Sequence, residues 1–372
     1  MAIINPKQTV LDLIGYADIK INGDRPWDIR VKNEDFYKRI LSQASLGLGE
    51  SYMDGWWETE ALDVLTDKLL RAGTDKKVIS FKALTNVVKA RITNRQTKAR
   101  SKKVAEIHYD LGNDFYSQML DSRMQYTCGY WLQAENLEEA QEHKLDLICK
   151  KLNLNPEDHV LELGCGWGGF AKYAAGEYGC RVTGYNISQE QVKYARDNCQ
   201  GLPVEIVEKD YREATGSYDK VVAIGLCEHI GYKNYRGFME VAHKSLKDGG
   251  LFLVHTIGGL KSATSTDPWI EKYIFPNSML PSPAQLAEAL EGLFVLEDWH
   301  SFGSDYDKTL MAWFANFDRN WPKLREQYGE RFYRMWKFYL LICAGSFRAR
   351  KNQLWQVVLS KGGVTGGYQS VR

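Results

Sequence analysis

From about Asn113 onward, short apolar runs alternate with amphipathic stretches: "HVLELG", "GFAKYAAGEYG", "RVTGYN", "SQEQVKYARDNCQ", "PVEIVEKD", "DKVVAIG" and "GLFLVHTIG". Buried strands separated by helical segments are the pattern of an α/β protein, a mostly parallel sheet with helices on both faces. Residues 1 to about 75 read differently. "NEDFYKRILSQAS" and "ALDVLTDKLLRAG" carry helical periodicity on either side of the Gly- and aromatic-rich "LGLGESYMDGWW", which predicts a small, mainly helical amino-terminal domain. The expected organisation is a first domain over 1–90, a basic linker over 91–112 and a sheet domain over 113–372. No internal repeat or low-complexity tract interrupts it.

A chain of 372 residues with 44% hydrophobic content can bury a sizeable core. Its longest apolar runs, such as Gly250 to Thr256, fall far short of a membrane span, and "MAIINPKQTV" lacks the layout of a secretory signal, so a cytoplasmic location is expected. Seven scattered cysteines, none in a CxxC pair, argue against a disulfide framework and against a zinc site; no metal is expected.

The net charge of +1 conceals a local asymmetry. Ten Lys or Arg residues and no acid fall between Lys76 and Ala105. In "KKVISFKALTNVVKARI" the apolar positions recur at roughly helical spacing, a basic amphipathic pattern. Such a segment is drawn to anionic lipid headgroups at about 1 kcal/mol per basic residue. A solvated linker helix packed on its own protein is the alternative. Nucleic acid ranks last, because no binding motif accompanies the charge.

The candidate chemistry lies at the strand ends. "VLELGCGWGGF" sets Gly164, Cys165 and Gly166 at a strand-to-helix turn, where open α/β sheets bind ligands. The spacing departs from the dinucleotide fingerprint, and a turn with glycines for packing is the plain alternative. The next strand ends bring Asn186, Ser188 and Gln191, suited to a ribose or an amino-acid moiety. Then come Asp210 with Tyr211, able to bond and stack on adenine, and finally Glu228 in "AIGLCEHIGY". This series resembles the class I S-adenosylmethionine-dependent methyltransferases, with a Rossmann-like sheet.

The wider set "SLGLGESYMDGWW", "HYDLGNDFY", "MQYTCGYW", "LELGCGWGG", "EHIGYKNY", "HTIG", "YIFPN", "DYDKTLMAW" and "AGSFRAR" resembles the cyclopropane-fatty-acid synthases, bacterial enzymes that modify unsaturated phospholipids. The resemblance runs from about residue 20 to 360. It implies methylene transfer from S-adenosylmethionine to a cis double bond, and a bicarbonate ion as the base that removes a proton from the cation so formed. It implies an anion cage of Cys128, Glu228, His255, Ile257 and Tyr306, and adds Tyr126 and Thr127 to the cofactor site. It further implies a lipid-binding or dimerising amino-terminal domain, a homodimer, and a peripheral place at the inner face of a membrane with unsaturated phospholipid. Two anions side by side repel, so Glu228 is expected to accept the bicarbonate proton rather than to act as the base itself.

His229 is expected to be structural, because neighbouring strand residues face opposite sides; the expected partner of Glu228 is His255 from the next strand. The family assigns a cysteine at the place of Cys343, yet the apolar "FYLLICAG" around it favours packing over chemistry. The C-terminal aromatics, as in "RFYRMWKFYLL", suit an acyl tunnel or simply a core. Alternatives are a fatty-acyl methyltransferase with a methyl-branched or hydroxylated product, and a non-enzymatic membrane-surface protein.

Overall fold

The computed structural model describes residues 5–74 and 111–372. The basic run 76–105, and all but the last two residues of the expected linker, lie outside the described residues. The chain packs as two units. The described residues of one are 5–74, Ser265–Pro276 and Tyr306–Asn352; those of the other are 111–264, Asn277–Asp305 and Gln353–Arg372.

In the first unit, helices Pro6–Gly15, Asp35–Gln43, Ser45–Met53 and Leu62–Arg71 accompany a two-stranded antiparallel pair, β1 (Arg30–Val31) and β2 (Trp57–Glu58). Trp57 is fully buried and lies 6.0 Å from Phe36, 5.1 Å from Tyr52 and 6.4 Å from Phe338, ring centre to ring centre. Trp269 packs on Phe338 at 4.8 Å. Helix Ser45–Met53 carries Gly49 where any Cβ would overlap the Trp269 indole, which explains the glycines of "LGLGE" as a close approach. The helical stretch Ser304–Arg348 is two helices meeting at Gly329, where φ is 73°.

Here the structure departs from the expected boundaries. Ser265–Pro276 and Tyr306–Asn352 were expected within an unbroken 113–372 domain, yet they pack with the amino-terminal residues. The reason is apolar burial: Trp269, Trp336 and Phe338, each at most 2% exposed, belong to that unit's core.

The second unit is built on seven strands: β3 (His159–Leu163), β4 (Arg181–Asn186), β5 (Val204–Glu208), β6 (Tyr218–Ile224), β7 (Leu246–Gly259), β8 (Val295–Ser301) and β9 (Asn352–Ser360). Their order is β5-β4-β3-β6-β7-β9-β8. The first five pair in parallel, and β8 pairs antiparallel with β9. The order reverses beside β3, so the carboxyl ends of β3 and β6 flank the crevice where such sheets bind ligands.

Side chains alternate between two cores. Leu161, Leu163, Val221, Ala223, Phe252 and Val254 pack with helices Tyr235–Ser245 and Pro283–Leu290; Val160, Val222, Leu251 and Leu253 pack with helices Leu137–Lys151 and Gly169–Glu177. Covered on both faces, these strands read as nearly continuous apolar runs. Among the described residues no helix is long and apolar enough to cross a membrane. No disulfide joins any two of the seven cysteines.

Candidate active site

The glycine turn follows β3. Gly164, Gly166 and Gly168 have φ of 81°, 53° and 78°, backbone that L side chains rarely adopt. The amides of Gly164 and Cys165 both donate to the Tyr185 carbonyl at 3.0 Å, which fixes the turn against the end of β4. A Cβ on Gly166 would meet nothing within 4 Å, so the turn faces open space.

At the end of β4, Asn186 Nδ2 donates to the Gly166 carbonyl and to Gln191 Oε1, each at 3.0 Å, while its Oδ1 accepts from the amides of Ile187 and Ser188. Ser188 caps helix Gln189–Asn198 by accepting from the Gln191 amide. Asn186, Ser188 and Gln191 therefore brace one another and the glycine turn. After β5, Asp210 is held by Arg212, whose Nε and Nη2 donate to its two oxygens, each at 2.7 Å. Tyr211 beside it packs edge-on to Phe238 at 5.9 Å.

Residues 111–130 connect to this turn. The Trp167 indole donates to Asn113 at 2.7 Å, and the Tyr116 ring packs at a tilt between Trp167 (5.0 Å) and Tyr126 (5.2 Å). Thr127 lies against β6: a Cβ on Gly225 would stand 2.7 Å from its Cγ2, so only glycine fits. Cys128, fully buried, directs its thiol to the Gly129 carbonyl.

Glu228 sits just past β6, on the short helix Cys227–Ile230. The expectation that strand alternation separates it from His229 fails, since the strand ends at Ile224 and the two residues are helical neighbours. The expected Glu228 to His255 pairing is also replaced. Glu228 Oε1 accepts from the Ile257 amide at 2.6 Å, which commits that amide to the carboxylate. Burial pushes the Glu228 carboxyl up to about 7, against the pull of the Ile257 amide. Its Oε2 is buried without a partner.

His255, only 1% exposed, faces the side of helix Leu137–Lys151. Its Nδ1 is 3.2 Å from Gln356 Nε2, and its Nε2 is buried without a partner. When the Gln356 N–H donates to Nδ1, the proton of the neutral ring is on Nε2. Burial, with the charges of Lys144 and Lys151, holds the imidazole well below its ordinary range. His229 is likewise held neutral by burial, down to about 4.

Tyr306 and Cys343 belong to the first unit. Tyr306 stacks on Phe347 at 4.5 Å. The Cys343 thiol is pushed up to about 12 by burial, and Asp267 adds to the effect; a thiol protonated at neutral pH is a poor nucleophile.

A family model described as mycolic acid cyclopropane synthetase matches residues 96–357. The chain belongs to this family. Cyclopropane-fatty-acyl-phospholipid synthase of Escherichia coli K12 is 53% identical over 94% of this chain and 92% of its own length. A probable fatty acid methyltransferase of Pseudomonas putida is 35% identical over 68% of each chain. The solved mycolic acid cyclopropane synthase CmaA1 complexed with SAH and CTAB is 29% identical, with a TM-score of 0.65 over 70% of this chain and 98% of its own. As a cyclopropane synthetase family member the chain is an S-adenosylmethionine-dependent methyltransferase of the class I fold, as its strand-end series led us to expect.

Sequence reading missed Arg212, Lys144 and Gln356. Lys144 and Gln356 did leave a signal. Each is a polar residue set among the apolar positions of a buried face, of "LEEAQEHKLDLICKK" and of "LWQVVLS".

Proposed function

We propose that this methyltransferase adds the methyl carbon of S-adenosylmethionine across the cis double bond of an unsaturated phospholipid acyl chain and closes a cyclopropane ring. The alkene π electrons form a bond to the methyl carbon as its bond to sulfur breaks. The resulting lipid cation loses one proton from that methyl group, and the freed electron pair closes the ring. Gly164, Cys165, Gly166, Asn186, Ser188, Gln191, Asp210 and Tyr211, with Tyr126 and Thr127, would hold the methyl donor.

The observation that carries this reading is a pair of buried, unpartnered polar atoms, Glu228 Oε2 and His255 Nε2. A carboxylate acceptor and an imidazole N–H donor together fit bicarbonate, which carries one O–H and two accepting oxygens. A bicarbonate held there supplies a base for the proton released at ring closure. Glu228 would orient it by accepting its O–H, His255 by donating to an oxygen, and Cys128 completes the proposed wall. Ile257 contributes by holding Glu228 Oε1. Burial keeps water from the cation, whose capture would give an alcohol.

The amino-terminal residues serve lipid binding and self-association, in a homodimer working peripherally on the cytoplasmic leaflet. The test is incubation with S-adenosylmethionine and vesicles of cis-unsaturated phospholipid. Expected is the gain of one CH2 per acyl chain, loss of olefinic proton signals and appearance of high-field cyclopropane resonances. Methyl-branched or hydroxylated chains would instead identify a fatty-acyl methyltransferase.

A further inference from the structure

Helix Leu137–Lys151 buries a lysine against the wall of the proposed anion pocket. Lys144 is 0% exposed, and its ammonium donates to Gln125 Oε1 at 2.5 Å and Thr127 Oγ1 at 2.9 Å. Gln141, one turn earlier, donates to the Thr127 carbonyl at 2.8 Å, and the Tyr130 amide donates to the Ala140 carbonyl at 2.8 Å. The helix thus grips the segment from Gln125 to Tyr130, and Gly225 leaves room for Thr127 on its other side.

Both acceptors of Lys144 are neutral, and among the described residues no carboxylate pairs with it. A buried, unpaired ammonium costs several kcal/mol and is not needed to fix a loop, since neutral donors do that. Two carboxyls lie within electrostatic reach. Burial pushes Glu162 up toward its neutral form, and the charge of Lys144 acts against it. Asp121, raised to about 6 by burial, accepts from the amides of Gln125 and Arg123 and acts on Lys144 only through space. Burial lowers the Lys144 ammonium, and the charge of Asp121 acts in the opposite direction, in favour of the charged form. The Lys144 charge reaches both Cys128 and His255.

We propose that Lys144 is a positioning residue whose buried ammonium both holds the Gln125–Cys128 segment and supplies the positive potential that retains an oxyanion between Glu228 and His255. This rests on the reading of that pocket as a bicarbonate site. Glu228 alone would repel the ion and neutral His255 offers only a hydrogen bond, so a cation behind the wall resolves the electrostatics.

The experiment measures turnover against added bicarbonate in carbon dioxide-depleted buffer, and S-adenosylmethionine affinity by calorimetry, for the full chain and for Lys144→Met, Lys144→Gln and Lys144→Arg. Expected for Lys144→Met is a rise of about tenfold or more in half-saturating bicarbonate, equivalent to about 1.4 kcal/mol. Lys144→Gln, which keeps a donor for Thr127 without the charge, should raise half-saturating bicarbonate in the same way while S-adenosylmethionine affinity moves much less, and Lys144→Arg should recover most of the bicarbonate response. If Lys144→Met does not fold, Lys144→Gln is read in its place. Unchanged bicarbonate dependence in a folded variant, or equal loss toward both ligands in Lys144→Gln, overturns the assignment of Lys144 while leaving the bicarbonate reading intact. A wild-type enzyme indifferent to bicarbonate overturns both.

Discussion

Glu228 shows how a single carboxyl is prepared for proton handling. One oxygen is fixed by the Ile257 amide, the other is buried and unsatisfied, and burial raises the group to about 7. Turnover should therefore rise as pH passes through about 7 and the carboxylate forms. For stability the sign runs the other way. A carboxyl raised from 4.5 to about 7 contributes stability that is fully present below 4.5 and lost as pH rises through about 7. Glu228→Gln should lower turnover roughly 10²- to 10⁴-fold. It should leave S-adenosylmethionine affinity intact and melt no lower than wild type above neutral pH. Paired rate and melting measurements across this range check both halves, and unchanged turnover would remove Glu228 from the chemistry.

At the scale of the element, the glycine turn is held by what lies under it. Gly184, in the middle of β4, leaves space for Cys165, and a Cβ there would stand 2.9 Å from Cys165 Cβ and 3.0 Å from its sulfur. Gly184→Ala should cost about 1–3 kcal/mol by overpacking. It should also weaken S-adenosylmethionine binding, because the displaced residue lies within the turn. Gly176, exposed in helix Gly169–Glu177, has nothing within 4 Å of its would-be Cβ. Gly176→Ala should stabilise the chain by about 0.5–1 kcal/mol with binding unchanged, through helix propensity alone. Urea melts with calorimetric titration distinguish the pair; equal binding losses would argue against a specific support under the turn.

The whole molecule is assembled from discontinuous stretches of chain. In the first unit Arg334 donates to the Tyr52 carbonyl at 2.6 Å and the Trp57 carbonyl at 3.1 Å, and stands 4.3 Å over the Tyr52 ring. Arg348 joins Asp307 and Asp63 at 2.9 and 2.7 Å. Arg334→Met should destabilise by roughly 2–4 kcal/mol, because two carbonyls lose a charged donor. A urea midpoint within error of wild type would show that the aromatic core alone joins these segments.

The alternation of apolar runs and helical stretches determined the parallel sheet, because strand and helix periods are local properties of the chain. The strand-end residues Gly164, Asn186, Asp210 and Glu228 were legible for the same reason: once strands are placed, their carboxyl ends follow. Tertiary structure decided the rest. It moved Ser265–Pro276 and Tyr306–Asn352 to the amino-terminal unit, since burial is satisfied by partners distant in sequence. It put Glu228 on a helix with the Ile257 amide as its partner, because β6 ends four residues earlier. It also set Lys144 behind Thr127 and Gln356 behind His255, pairings that no local pattern encodes.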